Sequence, residues 1–197
     1  ELGRLEEAVD RYAQAVALRP DYSEAYVNFG IAVKDVHFKS LNRELYPRLT
    51  ELLTIGNFIS PNDVAPSILS LLKHDPVIEE LLLEKNLAMT PKDVRSIISK
   101  LDRITLLHSL MRLCPLPDLE FEQLFVVIRR FLIENVDEIG ASSEPIYFLS
   151  TLSIHCFINE YVYAESDEEM RLVKELEGEI IQSLAQSKQP ELIKILC

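Results

Sequence analysis

The chain has 197 residues, of which 48% are hydrophobic, and a formal net charge of -12 at neutral pH. A chain of this size and composition can bury a substantial core, whereas its acidic balance repels phosphate backbones and anionic lipid, which argues against nucleic acid and membrane surfaces as partners. No apolar run approaches the roughly 18 residues that a membrane-spanning helix needs.

Apolar residues recur at intervals of three and four along most of the chain, and the five glycines are scattered, so the sequence predicts an all-α protein of about nine or ten helices. A capping residue followed by proline marks three helix starts, at Ser60, Asp75 and Thr90. The first three expected helices cover residues 4–18, 22–34 and 41–55. Six more begin at residues 60, 75, 90, 118, 146 and 166, and a last helix begins at residue 190.

Two of these helices have further expected features. The Thr90 helix is expected to run to about Leu113, because its apolar stripe continues without a break until Cys114 and Pro115. The helix from Ile146 to about Tyr163 is hydrophobic on nearly every side, so we expect it to be the central, buried helix of the bundle.

Residues 3–30 contain small residues, an aromatic residue and a proline in a repeat-like order, with Ala8, Tyr12 and Ala15 in the first helix, Pro20 just after its end and Gly30 in the second helix. They resemble the tetratricopeptide repeat, a helix-turn-helix unit of 34 residues. The resemblance implies that residues 1–38 are the last one and a half repeats of a superhelix. Asn42 and Thr54 stand where a further repeat would have a small residue and a proline. We therefore expect residues 39–197 to form a helical bundle of about seven helices, truncated at its C-terminus.

The same resemblance indicates one binding residue. In such repeats the first helix of each unit faces a concave groove that holds extended peptide, and repeats similar to those of cytosolic sugar transferases place a ligand-binding asparagine where Asn28 stands, two residues before Gly30. The alternative is that a terminal repeat only caps the stack and covers its apolar end. Asn28 is thus the candidate for contact with a protein or peptide partner.

Polar residues share one face of the apolar helix expected from Ile146 to about Tyr163, near the C-terminal end of that helix. The candidates are Asn159, Glu160, Tyr161 and Tyr163. One interpretation is a ligand site; the other is a buried hydrogen-bond network that fixes helix packing, with an arginine (Arg129, Arg130 or Arg171) expected to pair with the Glu160 carboxylate.

The sequence gives little support for metal binding, for nucleotide or cofactor binding, or for cysteine catalysis. The four histidines lie more than 30 residues apart, which gives no metal-ligand spacing, and no glycine-rich loop suits a nucleotide or cofactor. Cys156 lies in an apolar helix without an electropositive surrounding, so it is expected to be a core residue rather than a nucleophile. We therefore expect no metal, no cofactor and no catalytic residue in these residues.

A third resemblance is carried by the motif Cys156-Phe-Ile-Asn-Glu-Tyr-Val-Tyr163 and the Asp167-Glu-Glu169 that follows it. The motif resembles the helical middle region of multidomain bacterial proteins that join a tetratricopeptide array to a class I S-adenosylmethionine-dependent methyltransferase domain. The leucine-rich helices from about 41 to 134 are similar to that region too. The resemblance implies a cytoplasmic, non-catalytic interaction or regulatory module, with adjacent domains of the parent chain carrying the methyl transfer. The alternatives are a self-contained helical enzyme or ligand-binding domain with a pocket near Asn159 and Glu160, and, from the repeat type alone, a parent that transfers a sugar.

Overall fold

The computed structural model describes residues 2–83, 90–137, 146–159 and 165–186. These residues form ten α-helices without a β-strand, so the predicted all-α class is confirmed. The helices are α1 (Leu2–Leu18), α2 (Ser23–Lys34), α3 (Leu45–Thr54), α4 (Pro61–Leu72), α5 (Pro76–Leu83), α6 (Pro91–Leu101), α7 (Thr105–Met111), α8 (Leu119–Glu134), α9 (Ile146–Ile158) and α10 (Asp167–Ala185).

None of the helices in the described ranges has the length and the hydropathy that crossing a bilayer requires.

The chain divides into two compact units. The first contains Glu1–Glu84 and Ile104–Leu119, and the second contains Lys85–Arg103 and Glu120–Cys197. The first unit extends beyond residue 38, because α1 and α2 pack on α3, and α2 also packs on α4. The expected boundary between a repeat segment at 1–38 and a bundle at 39–197 stays a prediction.

In the first unit, the segment after α3 covers one side of α2. The rings of Tyr26 and Phe58 stack with their centroids 5.1 Å apart. A Cβ atom added at Gly30 would lie 3.0 Å from the Cβ of Ile59, so the absence of a side chain at this glycine permits the close approach. Residues 55–60 therefore lie on a face that a following repeat would otherwise cover, and the repeat pattern stops after α2.

A buried carboxylate ties the start of α3 to the start of α5. The Asp75 side chain is 2% exposed and accepts two hydrogen bonds from the Arg43 guanidinium and one from the Tyr46 hydroxyl, all at 3.1 Å. It also accepts the backbone N–H of Val77 at 3.1 Å, which confirms Asp75 as a helix cap. Burial, followed by the negative charge of Asp75, raises the pKa of the Tyr46 phenol.

In the second unit, the predicted helix from Thr90 to Leu113 is wrong as a single helix. α6 ends at Leu101, and α7 starts at Thr105 in the first unit. The Asp102 carboxylate accepts the backbone N–H of Phe148, at the start of α9, at 2.9 Å. This acid thus accepts a backbone N–H in the first turn of a helix, a tertiary role that the apolar stripe of the sequence does not show.

The helix from Ile146, which was expected to be the central, buried helix, is buried along only part of its surface within α9. Phe148 is fully buried and its ring lies 6.3 Å from that of Phe125, but Tyr147 and Phe157 are 45% and 69% exposed. A hydrophobic side chain costs little on a surface when its neighbours fill the core, so apolar composition alone does not fix burial.

Candidate functional site

The exposed side of α2 is the candidate site, and it consists of Glu24, Val27, Asn28, Ile31 and Lys34. We refer to these residues as the α2 face. They recur at intervals of three and four, so they form one stripe along the helix. Val27 is 39% exposed and Ile31 is 56% exposed, whereas Asn28 is half-buried between them.

The opposite side of α2 holds the helix rigidly in the first unit. Tyr26, Phe29 and Val33 are fully or almost fully buried. The C-terminal end is held by α4, because the Ser67 hydroxyl donates to the Lys34 carbonyl at 3.1 Å and the Lys34 ammonium lies 3.3 Å from Asp63. A helix fixed in this way presents its outer side chains with little freedom to rearrange, which lowers the entropy cost of binding.

Asn28, the candidate for peptide contact, lies half-buried on the outer side of α2. Its carboxamide can donate two hydrogen bonds and accept two. Within the described ranges no other group bonds to the Asn28 side chain. It lies between two exposed aliphatic side chains, so one amide is flanked by apolar surface. This arrangement suits an extended peptide, whose backbone carries both a donor and an acceptor and whose side chains can contact Val27 and Ile31.

The second predicted group lies partly within the described residues. Asn159 is half-buried, and its amide nitrogen lies 3.3 Å from Nε2 of the buried His155. The His155 ring in turn meets the Phe125 ring edge-on at a centroid distance of 5.8 Å. Glu160, Tyr161 and Tyr163 lie outside the described residues. The choice between a ligand site and a packing network there stays open.

The three arginines proposed as partners of Glu160 do contact carboxylates. Arg129 and Arg130 both bind Glu169 at 3.0 Å, and Arg129 also lies 3.4 Å from Glu165. Arg171 pairs with Glu168 and Glu175 on its own helix. The Glu169 carboxylate thus has two roles, because it caps α10 together with Ser166 and also holds α10 to α8.

Metal and thiol chemistry have no assembled site in the described part of the chain. No group of three or more histidine, cysteine, aspartate or glutamate side chains lies close enough there to hold a metal ion. Cys114 and Cys156 are buried free thiols. Burial raises the pKa of Cys114 to about 11, so this thiol is protonated at neutral pH.

One family model matches the N-terminal part of the chain. Residues 1–35 match the family model of the TPR repeat. No curated protein and no solved structure matches the chain. The match covers α1, α2 and Asn28, and it supports a TPR-like all-helical fold and a protein-interaction module, since TPR repeats generally mediate contacts between proteins.

Proposed function

We propose that the chain is a protein-interaction module that binds an extended polypeptide segment on the α2 face, with Asn28 hydrogen-bonded to the peptide backbone. The observation that supports it most is the side-chain amide of Asn28, which has no partner in the described residues and lies between exposed Val27 and Ile31. The match of residues 1–35 to the TPR repeat points to the same class of partner.

Apolar and polar contacts both contribute to this binding. The two aliphatic side chains supply area that a peptide can remove from water, at about 25 cal/mol per Å². The Asn28 carboxamide orients the bound peptide, because its donor and acceptor can pair with one backbone amide of a strand-like segment. Glu24 and Lys34 at the two ends have opposite charges, which favours one orientation of a peptide with complementary charges.

The test uses peptides selected on the chain from a random phage-displayed library, with affinity then measured by isothermal titration calorimetry. We expect Asn28→Ala to weaken binding about tenfold, since a hydrogen bond in an apolar setting is lost. Ile31→Asp should abolish binding. The matched control is Asn135→Ala on the second unit, which removes an amide that bonds Phe131 instead. Wild-type affinity in both α2 variants would contradict the proposal.

We also propose, from the resemblance of residues 156–163 and of the helices from about 41 to 134, that this module stands beside a methyltransferase domain in a cytoplasmic parent protein. The buried reduced thiols Cys114 and Cys156 fit a reducing compartment. The test is the coding sequence that follows Cys197, together with binding of S-adenosylmethionine by the full-length product. A full-length protein without such a domain and without cofactor binding would refute this part.

A further inference from the structure

A cleft in the first unit lies between α1 and the start of α3, on residues other than those of the α2 face. It has a volume of about 220 Å³. Its α1 wall carries Asp10, Ala13 and Ala17, and its opposite wall carries Glu44 and Leu45. Drug-sized ligands occupy roughly 300–1,000 Å³, so this cleft suits a smaller group such as one amino-acid side chain.

The wall formed by α1 changes from apolar to acidic along its length. Asp10, Ala13 and Ala17 are separated by three and four residues, so they form one stripe, which is about 10 Å long at 1.5 Å per residue. The methyl groups of Ala13 and Ala17 line the C-terminal part of this stripe, and Leu45 adds an apolar side chain from the opposite wall. The Asp10 carboxylate lies at the N-terminal end of the stripe, and Glu44 is close enough to act on its charge.

These two carboxylates lack a compensating cation in the described part of the chain. The only hydrogen bond to Asp10 there comes from the neutral Asn42 amide at 3.2 Å. Burial and the nearby charges of Glu6 and Glu44 raise the pKa of Asp10 against that hydrogen bond. A positive group placed between the carboxylates would therefore relieve an unfavourable arrangement.

The one cation on the cleft wall is already neutralised by another group. Arg48 uses Nη1 to bind both oxygens of Glu51, at 2.8 and 2.6 Å. Its Nη2 and Nε take no part in that pair, and Gln14 lies exposed on the facing wall. These groups can bond the carbonyls and amides of a polypeptide backbone at the mouth of the cleft.

We propose that the α1/α3 cleft binds a lysine or arginine side chain of a polypeptide partner. The aliphatic stem lies along Ala13, Ala17 and Leu45, and the cationic head binds Asp10 and Glu44. Lysine and arginine combine an apolar stem with a charged end, which matches the order of surfaces along this stripe. The cleft is thus a second docking point, on α1, in addition to the α2 face.

The experiment titrates the ¹⁵N-labelled chain with the blocked peptide acetyl-Ala-Lys-Ala-amide and follows amide shifts. We expect saturable shifts at residues 10–17 and 42–48, and no such shifts with the norleucine peptide, which keeps the stem and lacks the charge. The double variant Asp10→Asn with Glu44→Gln should weaken binding about tenfold or more. Ala17→Leu, which keeps the charges but fills the apolar end, should also prevent binding.

The control is Glu122→Gln in α8 of the second unit, which removes the same charge as Glu44→Gln from an exposed position outside the cleft and the α2 face and should leave the affinity unchanged. Circular dichroism of each variant shows that the helices are intact. Equal binding of the lysine and norleucine peptides, or equal losses in the cleft and control variants, would overturn the proposal. Butylammonium binding as tightly as the peptide would overturn the assignment to a polypeptide partner.

Discussion

The carboxylate of Glu169 lies 3.0 Å from the guanidinium of Arg129, across the contact between α10 and α8. The Glu169 side chain is 1% exposed and that of Arg129 is 11% exposed, so this pair is largely removed from water. The other oxygen of Glu169 binds Arg130 at 3.0 Å and the backbone N–H of Ser166 at 2.8 Å. One carboxylate therefore caps α10 and anchors it.

We expect Glu169→Gln to lower the free energy of unfolding of the second unit by about 3 kcal/mol, because it leaves Arg129 without its buried counter-charge. Chemical denaturation followed by circular dichroism measures this. Glu168→Gln, on the exposed side of the same turn, should change stability little. Equal effects of the two variants would contradict the anchoring role.

The same carboxylate gives a pH dependence of known sign. Burial raises the pKa of Glu169, but the hydrogen bonds from Ser166 and Arg130 and the charge of Arg129 outweigh it, so the pKa lies below its ordinary value. Because the pKa of Glu169 is lower in the folded state than in the unfolded state, where it is about 4.3, the ionised carboxylate stabilises the fold at pH values above 4.3. This stabilisation is lost as the pH falls through the pKa of the folded state. The stability difference between wild type and Glu169→Gln should therefore shrink between neutral pH and about pH 3.

Asp75 gives a corresponding prediction for the first unit. Asp75→Asn should destabilise by about 2 kcal/mol, since the hydrogen bonds from Arg43 and Tyr46 lose their charged acceptor. The matched control is Asp63→Asn, whose pair with Lys34 is exposed and should be worth less than about 0.5 kcal/mol. Urea denaturation midpoints of the two variants distinguish them; identical midpoints would refute the buried role.

Two helical glycines, Gly30 and Gly178, should respond differently to the same substitution. Gly30→Val should destabilise by about 2 kcal/mol, because a Cβ there already lies 3.0 Å from Ile59 and the added methyl groups have no space. Gly178→Val should be near neutral, because nothing lies within 4 Å of a Cβ at that position. Thermal unfolding measures both, and a stable Gly30→Val variant would show that residues 55–60 do not pack on α2 as described.

Thiol reactivity tests the burial of Cys114. With its pKa raised to about 11 by burial, this residue should resist iodoacetamide in the native protein and react only after denaturation in guanidinium. Mass spectrometry of peptides after labelling reports the modification at each cysteine. Labelling of native Cys114 as fast as a free thiol would contradict the structure.

Local signals made much of this fold predictable. Thr90 with Asp93 and Ser166 with Glu169 form capping boxes in the structure, and a hydroxyl residue followed three positions later by an acid is the sequence pattern of that motif. Pro47 lies in the first turn of α3, where a helix tolerates proline. Each of these features depends on residues within one turn of each other, so the sequence contains all the necessary information.

Features that depend on distant partners were not predictable. Asp102 ends α6 while its carboxylate receives the N–H of Phe148, 46 residues away. Glu169 meets Arg129 from 40 residues away. A single sequence gives no measure of which distant residues approach each other, so the break after Leu101 and the anchoring of α10 remained hidden. Asn28 stays a prediction, which comes from the resemblance of residues 3–30 to the tetratricopeptide repeat.

The close approach of Ile59 to Gly30 has a consequence for engineering. Artificial repeat arrays are lengthened by inserting consensus units, each of which stacks on the helix before it. A unit inserted after Asp35 would compete with Phe58 and Ile59 for the same side of α2. Longer arrays in this protein therefore require replacement of residues 55–60 together with the insertion, and a graft that keeps them would displace either the native loop or the new helix.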